Sequence, residues 1–498
     1  MKTRLMVITL LVVILTALVA CAAPTAAPPP AAPAPTAVPP TKAPEPTKAM
    51  AEPTKAAVPT TAAVATKAPE PTKAAAPAMP YGLKPGKPYN GTTVNFLNCC
   101  GTATQFFSLN QKVSEFTELT GIKVSEWRGS PYAAFQEEIL KETATGGGNY
   151  DLLVYVDAWG QGIQNFIQPI DDRVKADNYN IGDFPLVYQI PGKNKKGETM
   201  GVPLRGHAFM LFYRKDVFDK LGLKPPTTWA EMEAAAKTIQ EKTNLKGLSV
   251  YYGLTGGQNL FVWESLTWSN GGDLFDKDWK PIFNSPAGVE ATQRYVDWLL
   301  KQKIVTEGAK TFGEQDGMNE MVQGRAAMYL GWSWMYSNFT NAKVVAPEAL
   351  NNIAFVPAPT WEGKGKSATY GHIWEVGILK SSKKQDAAWE YIKWLTNAAT
   401  EKKVALDKSD PKLDNVVVVH TSNQLDAEIN AKHNGLQKMM AESLKDARTQ
   451  PMMPEWLQIQ PILETAVNKM ANGAPVKETL DKAAQDVTDL LKREGYYK

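Results

Sequence analysis

The residues from Ala208 to Tyr213 are apolar or aromatic at every position. Side chains of a strand alternate between two faces, so an unbroken run of this kind has to be covered on both sides and belongs inside a sheet. Just before it, Arg205 and His207 flank Gly206, following an extended Val202-Pro203-Leu204 segment. Polar groups beside a buried strand line an edge or a cleft. Asp216 then starts a short helix that Gly222 can end in the left-handed conformation, and Pro225 and Pro226 stiffen the link beyond it. Thr228 and Glu231 form a capping box for the next helix, Trp229 to Thr243.

Upstream, the pattern alternates. Thr93 to Leu97, Ile122 to Trp127 and Asp151 to Val156, apolar from Leu152 on, read as strands; Gln105 to Leu119, Tyr132 to Thr145 and Gln161 to Ile167 read as helices, with Gly121 and Gly146 to Gly148 as stops. Such alternation implies an α/β fold with a mainly parallel, covered sheet, whose ligands gather beyond the carboxyl ends of the strands. Asn98 to Thr102 and Asp157 to Trp159 occupy that place. Gly247 to Gly253 reads as a further strand and Asn259 to Asn270 as a helix.

The N-terminus follows another logic. Lys2 and Arg4 precede an apolar run from Leu5 to Ala20 that is short for a permanent span, which describes a secretory signal peptide over residues 1–20. Cys21, directly after Leu18-Val19-Ala20, resembles the bacterial lipobox, which implies lipidation of Cys21 and attachment to a membrane. Residues 21–80 are almost wholly Ala, Pro, Thr, Lys and Val, with Ala-Pro-Glu-Pro-Thr-Lys-Ala at 43–49 and again at 68–74. A segment so poor in apolar bulk cannot offset its ordering entropy and reads as a disordered tether, reaching up to about 180 Å at ~3.1 Å per residue.

The formal net charge is +3. Removing the basic leader and tether leaves a near-neutral remainder, with no electrostatic footprint for nucleic acid. The chain beyond Tyr81 is long for one core and suits two lobes. Besides Cys21 there are only Cys99 and Cys100, adjacent in sequence, as two free thiols or a strained ring.

The stretch Gly201-x-Pro203, the polar kink, Leu211 to Asp216, Leu221-Gly222-Leu223 and Pro225 to Trp229 resemble the extracellular solute-binding proteins of sugar ABC importers, the maltose-binding-protein-like group. The resemblance extends through Tyr150 to Trp159, the Gly271-Gly272-Asp273 turn, Gly324 to Met335, Gly371 to Ile378 and the closing helices of Pro454 to Lys492. It implies a two-lobed type II periplasmic-binding-protein fold, a hinge of crossing segments and a ligand cleft between lobes. Lobe 1 would comprise 81–207 and 376–435, and lobe 2 would comprise 208–375 and 436–498. By position the ligand residues are Cys100, Asp157, Trp159, Arg205, His207, Asn259, Phe261, Trp334, Trp374 and Glu375. The paired Cys departs from the family pattern in the first-strand loop, and Trp374 and Glu375 are bulkier than its usual residues. The resemblance further implies a monomeric, lipid-anchored binder on the outer face of the bacterial cytoplasmic membrane. It would bind a sugar or oligosaccharide and serve an ABC permease, without cofactor, metal or catalysis.

The chemistry agrees with that reading. Sugar hydroxyls need acceptors, donors and aromatic faces to stack on, and the chain has 14 Trp. Alternatives remain open for single residues: an Arg205–Glu375 ion pair, a satisfied buried His207, core roles for Trp263 and Trp268, and Trp332 beside Trp334 as a second stacking ring. Enzyme motifs fail at named positions. Gly331 to Met335 lacks the second Gly of a nucleophile elbow, Thr360 stands where a phosphate loop ending Gly365-Lys366-Ser367 needs Gly, and Asn165 breaks the dinucleotide fingerprint begun by Gly160. The four His lack metal-ligand spacing. Two readings compete: an exported glycosidase using Asp157 and Glu375 as its carboxylate pair, and a binder of a non-sugar solute, which would show a Trp-poor cleft crowded with carboxylates or Arg.

Overall fold

A computed structural model describes residues 79–99, 112–129, 132–364, 369–407 and 417–497. The expected signal peptide, Cys21, all but the last two tether residues, Cys100, the first-strand loop beyond it and Gly365 to Ser367 lie outside the described residues. Seven strands form the framework: β1 (Thr93–Cys99), β2 (Lys123–Gly129), β3 (Leu152–Val156), β4 (Val202–Arg214), β5 (Met328–Trp332), β6 (Ile353–Pro357) and β7 (Gly371–Ile378). Their order is β2-β1-β3-β7-β4-β5, with β6 also on β4.

Only part of this sheet is parallel, in contrast to the expectation from the βα alternation. β1 pairs parallel with β2 and β3, whereas β3–β7, β4–β7, β4–β5 and β4–β6 are antiparallel. The reason is the return of the chain: β7 slots between β3 and β4 and runs against both. β4 is buried along all 13 residues, as its apolar run requires. Its first part, through Ala208, pairs with β7; from Phe209 it pairs with β5 and β6. One strand thus serves two ladders.

Helix boundaries follow the local chemistry. Gly121 ends the helix Val113–Thr120 at φ 72°, and Gly222 ends Lys215–Leu221 at φ 66°. The Thr228–Glu231 capping box is formed at the start of Trp229–Lys242. The helix expected from Gln161 begins earlier, covering Asp157–Ile163 before a 3-10 turn at Gln164–Phe166. Gly160 lets it continue by lying against the Tyr155 ring, where a Cβ would come within 3.2 Å. Gly247 to Gly253 is extended but not a strand. It makes one isolated bridge, Ser249 to Tyr329 on β5, while Leu248 and Tyr252 donate to the Ile304 and Ala309 carbonyls, so its hydrogen bonds are divided between β5 and loops.

The closing helices Trp456–Ala471 and Val476–Arg493 pack on each other and on Pro286–Leu300. Among the described residues most apolar burial is continuous: one large cluster runs from Val94 and Phe96 through Phe209 and Trp332 to Leu491, and a small second one gathers Ala405, Val418 and Ile429. No described helix is long and apolar enough to cross a membrane.

Candidate functional site

The site grows from the register between β4 and β7. Arg205 lies opposite Trp374 and His207 opposite His372, after a register shift between Pro203 and Arg205. Residues two apart on a strand share a face, so these four side chains point to the same side. They line a cavity of about 440 Å³ together with Val156, Ala158 and Trp159 after β3, Trp332 and Trp334 at the end of β5, Phe261, Glu314 and Tyr370. Polar side chains from the 255–258 loop, Gln315, Ser337, Asn338, Gln450 and Gln460 complete the wall.

Aromatic rings brace one another around this space. Trp332 meets Phe261, Tyr370 and His372 at centroid distances of 4.9, 5.2 and 5.5 Å, and its Nε1–H donates to Glu314 Oε2 at 2.8 Å. The Arg205 guanidinium stands 5.7 Å from the Trp374 ring centre, within cation–π range. The His207 and His372 rings stack at 6.0 Å. Trp334 follows β5 in a 3-10 turn and is half-buried, leaving ring surface open.

Charge in the cavity is sparse and desolvated. Burial pulls Arg205 down to about 9, opposed by the charge of Glu314. Burial pushes Glu314 up to about 7, against the Trp332 indole hydrogen bond and the Arg205 charge. Glu314 keeps some exposure in accessible area, so its burial is enclosure by the cavity walls and not complete loss of water. His207 is 1 % exposed. Burial first, then the charges of Arg205 and His372, hold it well below the usual imidazole range, so it is neutral. Neither of its ring nitrogens has a hydrogen-bond partner among the described residues. A neutral imidazole of this kind offers one donor and one acceptor.

Nine of the ten expected site residues lie among the described residues and divide into three groups. Trp159, Arg205, His207, Phe261, Trp334 and Trp374 line the cavity together. Asp157 does not: it sits behind the wall, where Oδ2 accepts from Tyr370 Oη at 2.9 Å and Oδ1 lies 2.7 Å from His372 Nδ1. It positions two lining groups. Asn259 and Glu375 are corrections. Asn259 is fully buried and donates from Nδ2 to the Tyr252 and Glu464 carbonyls, tying the helix Leu260–Ser269 to Trp456–Ala471. Glu375 follows Trp374 on β7 and therefore faces the other side of the sheet. It lies against Gly192, Gly201 and Tyr155, and burial pushes its carboxyl well up. Cys100 lies outside the described residues.

The open alternatives also resolve. Glu375 packs by Tyr155 and not in an ion pair with Arg205. Trp263 is core, with Nε1–H donating to Thr292 Oγ1 at 2.7 Å, and Trp268 packs against Tyr370 and Arg448. Trp332 lines the cavity. His372 was detectable in the sequence, two positions before Trp374 on one strand; Glu314 gave no signal, since it follows an ordinary loop. No group of three or more His, Cys, Asp or Glu among the described residues could hold a metal.

Residues 102–402 match the family described as bacterial extracellular solute-binding protein. The chain belongs to this family. The solute-binding protein is 25% identical to a putative binding protein of Brucella abortus over 365 residues, 70% of this chain and 81% of the relative. It is 27% identical to the mannitol-binding protein of Pseudomonas aeruginosa over 276 residues, 54% of this chain and 61% of the relative. Among solved structures it is similar to maltose-bound MalE3 of T. maritima, with a TM-score of 0.71 at 20% identity, covering 80% of this chain and 100% of the other. The solute-binding protein has the two-lobed type II α/β architecture of these relatives.

Proposed function

We propose that this chain captures a sugar, polyol or oligosaccharide outside the cytoplasmic membrane and presents it to the permease of an ABC importer. The observation that carries the reading is the cavity at the β4–β7 crossing. Four indoles, Trp159, Trp332, Trp334 and Trp374, surround it, yet Arg205 and Glu314 are the only Arg, Lys, Asp or Glu among its described lining residues. Rings stack on sugar C–H faces, while Arg205, His207 and His372 serve hydroxyls. A cleft for a highly charged solute would carry more like-signed groups, and relatives named for mannitol and maltose point the same way.

Capture proceeds by closure of two lobes, 81–207 with 376–435 and 208–375 with 436–498, about the crossing strands, driven by the ligand's preference for the closed form. The protein works as a monomer held by lipid on Cys21 at the outer membrane face. It carries out no reaction. The glycosidase reading loses its pair, because Asp157 lies behind the wall and Glu375 on the opposite sheet face. Calorimetric titration of the purified chain with maltose, maltotriose and D-mannitol tests the proposal. Saturable binding of at least one is expected, and no heat from any of these or from a wider oligosaccharide panel refutes it.

A further inference from the structure

Three hydrogen bonds fix Glu314 at the cavity wall. Its N–H donates to Gln258 Oε1 at 2.9 Å, its carbonyl accepts from Tyr329 Oη at 2.9 Å, its Oε2 accepts from the Trp332 indole, and its side chain faces the cavity that Arg205 lines. Oε1 accepts no hydrogen bond among the described residues, which leaves it open to a ligand. We propose that Glu314 is the specificity-determining residue of the cavity, selecting uncharged polyhydroxy ligands against carboxylate-bearing sugars. The inference rests on the reading of the cavity as a sugar or polyol site.

The physical reason is charge balance in an enclosed space. A hydroxyl can donate to Glu314 Oε1 and accept from a donor such as Arg205, so both charges stay satisfied. A uronate carboxylate near Arg205 would face Glu314 as a like charge at low effective dielectric, and it binds only if Glu314 takes up a proton. No Lys and no second Arg stands among the described residues that line the cavity with Glu314. Tyr251 and Tyr329 are buried neutral phenols, His207 is held neutral, and Asp316 on the same helix accepts from the Gly313 N–H at 3.0 Å. His372 lines the cavity, with Nδ1 against Asp157.

Opposite pH slopes follow. A hydroxyl donor favours ionised Glu314, so neutral ligands bind more tightly as pH rises through about 7. A permanently ionised uronate favours protonated Glu314 and weakens over the same interval. The experiment titrates the full chain with maltose, D-mannitol and D-glucuronate at pH 6 and pH 8, and repeats this with Glu314→Gln. The neutral ligand should bind about threefold more tightly at pH 8 than at pH 6 in the unaltered protein. Glu314→Gln should abolish that slope and narrow the preference for neutral over acidic ligand at pH 8 by about tenfold. A slope that persists in the variant, an unchanged preference, or tighter binding of glucuronate by the unaltered protein at pH 8 overturns the proposal while leaving sugar binding intact. If the variant does not fold, a flat or inverted slope in the unaltered protein still overturns the proposal. Binding of none of the three ligands by the unaltered protein overturns this inference together with the function on which it rests.

Discussion

Trp334 and Trp263 show how differently two indoles can serve one molecule. Trp334 keeps part of its ring open to the cavity, whereas Trp263 is fully buried and hydrogen-bonded to Thr292. Trp334→Ala should weaken the best ligand by roughly 1–3 kcal/mol with little change in melting temperature. Trp263→Ala should instead cost about 3–5 kcal/mol of stability through a core cavity. Paired calorimetry and thermal melts separate the two. Glu375 makes a pH argument. Its carboxyl is raised well above the reference 4.5, so the folded state holds a proton that the unfolded state releases. Stability attributable to this group therefore falls as pH rises above the unfolded value. Glu375→Gln removes that liability, and its melting temperature relative to the unaltered protein should be higher at pH 8 than at pH 5. An equal difference at both pH values would show that Glu375 is ionised in the fold. These residues also mark what the sequence disclosed. Trp374 and Glu375 are adjacent on a strand, so alternation allowed only one of them to face the ligand, and choosing Trp374 required the register with Arg205. The role of Asn259 depended on Glu464, 205 positions away; no local pattern carries such a contact.

Among the elements, β4 decides most. Its apolar run was plain in the sequence because burial on both faces removes alternation, and Gly206 within it shows why the polar kink tolerates no bulk. A Cβ there would lie 2.5 Å from the Tyr188 ring. Gly206→Ala should cost about 1–3 kcal/mol of stability as overpacking. It should also weaken ligand binding, because Arg205 and His207 on either side would shift; unchanged affinity would mean that the strand absorbs the strain elsewhere. The antiparallel pairing of β7 was less legible. A strand–helix rhythm predicts parallel neighbours, but it says nothing about a strand that arrives from beyond a second ladder. The segment 247–253 misled for a related reason: its apolar pattern satisfied burial, while its backbone partners are split between β5 and loops.

At the scale of the whole molecule, occupancy and the proposed membrane attachment can be tested separately. A ligand that binds only the folded state adds about 2.7 kcal/mol at a hundredfold excess over Kd, so thermal shift reports occupancy. Cys21→Ala should release the protein from the membrane fraction to the soluble fraction without altering ligand affinity; retention in the membrane would refute lipid attachment at that residue. The two-lobed design was readable from family-like motifs spread along the chain, but the large apolar cluster among the described residues was not, because contacts such as Trp159 with Trp374 and Trp332 with Tyr370 join segments far apart in sequence. The placement of β7 between β3 and β4 has a practical corollary. A gene cut anywhere between residues 215 and 370 would give an N-terminal fragment in which those two strands flank a missing one, and a C-terminal fragment whose only copy of that strand has neither neighbour. Neither piece can complete its own sheet, so the two should regain shape only when mixed, and such a split pair would serve as a proximity reporter.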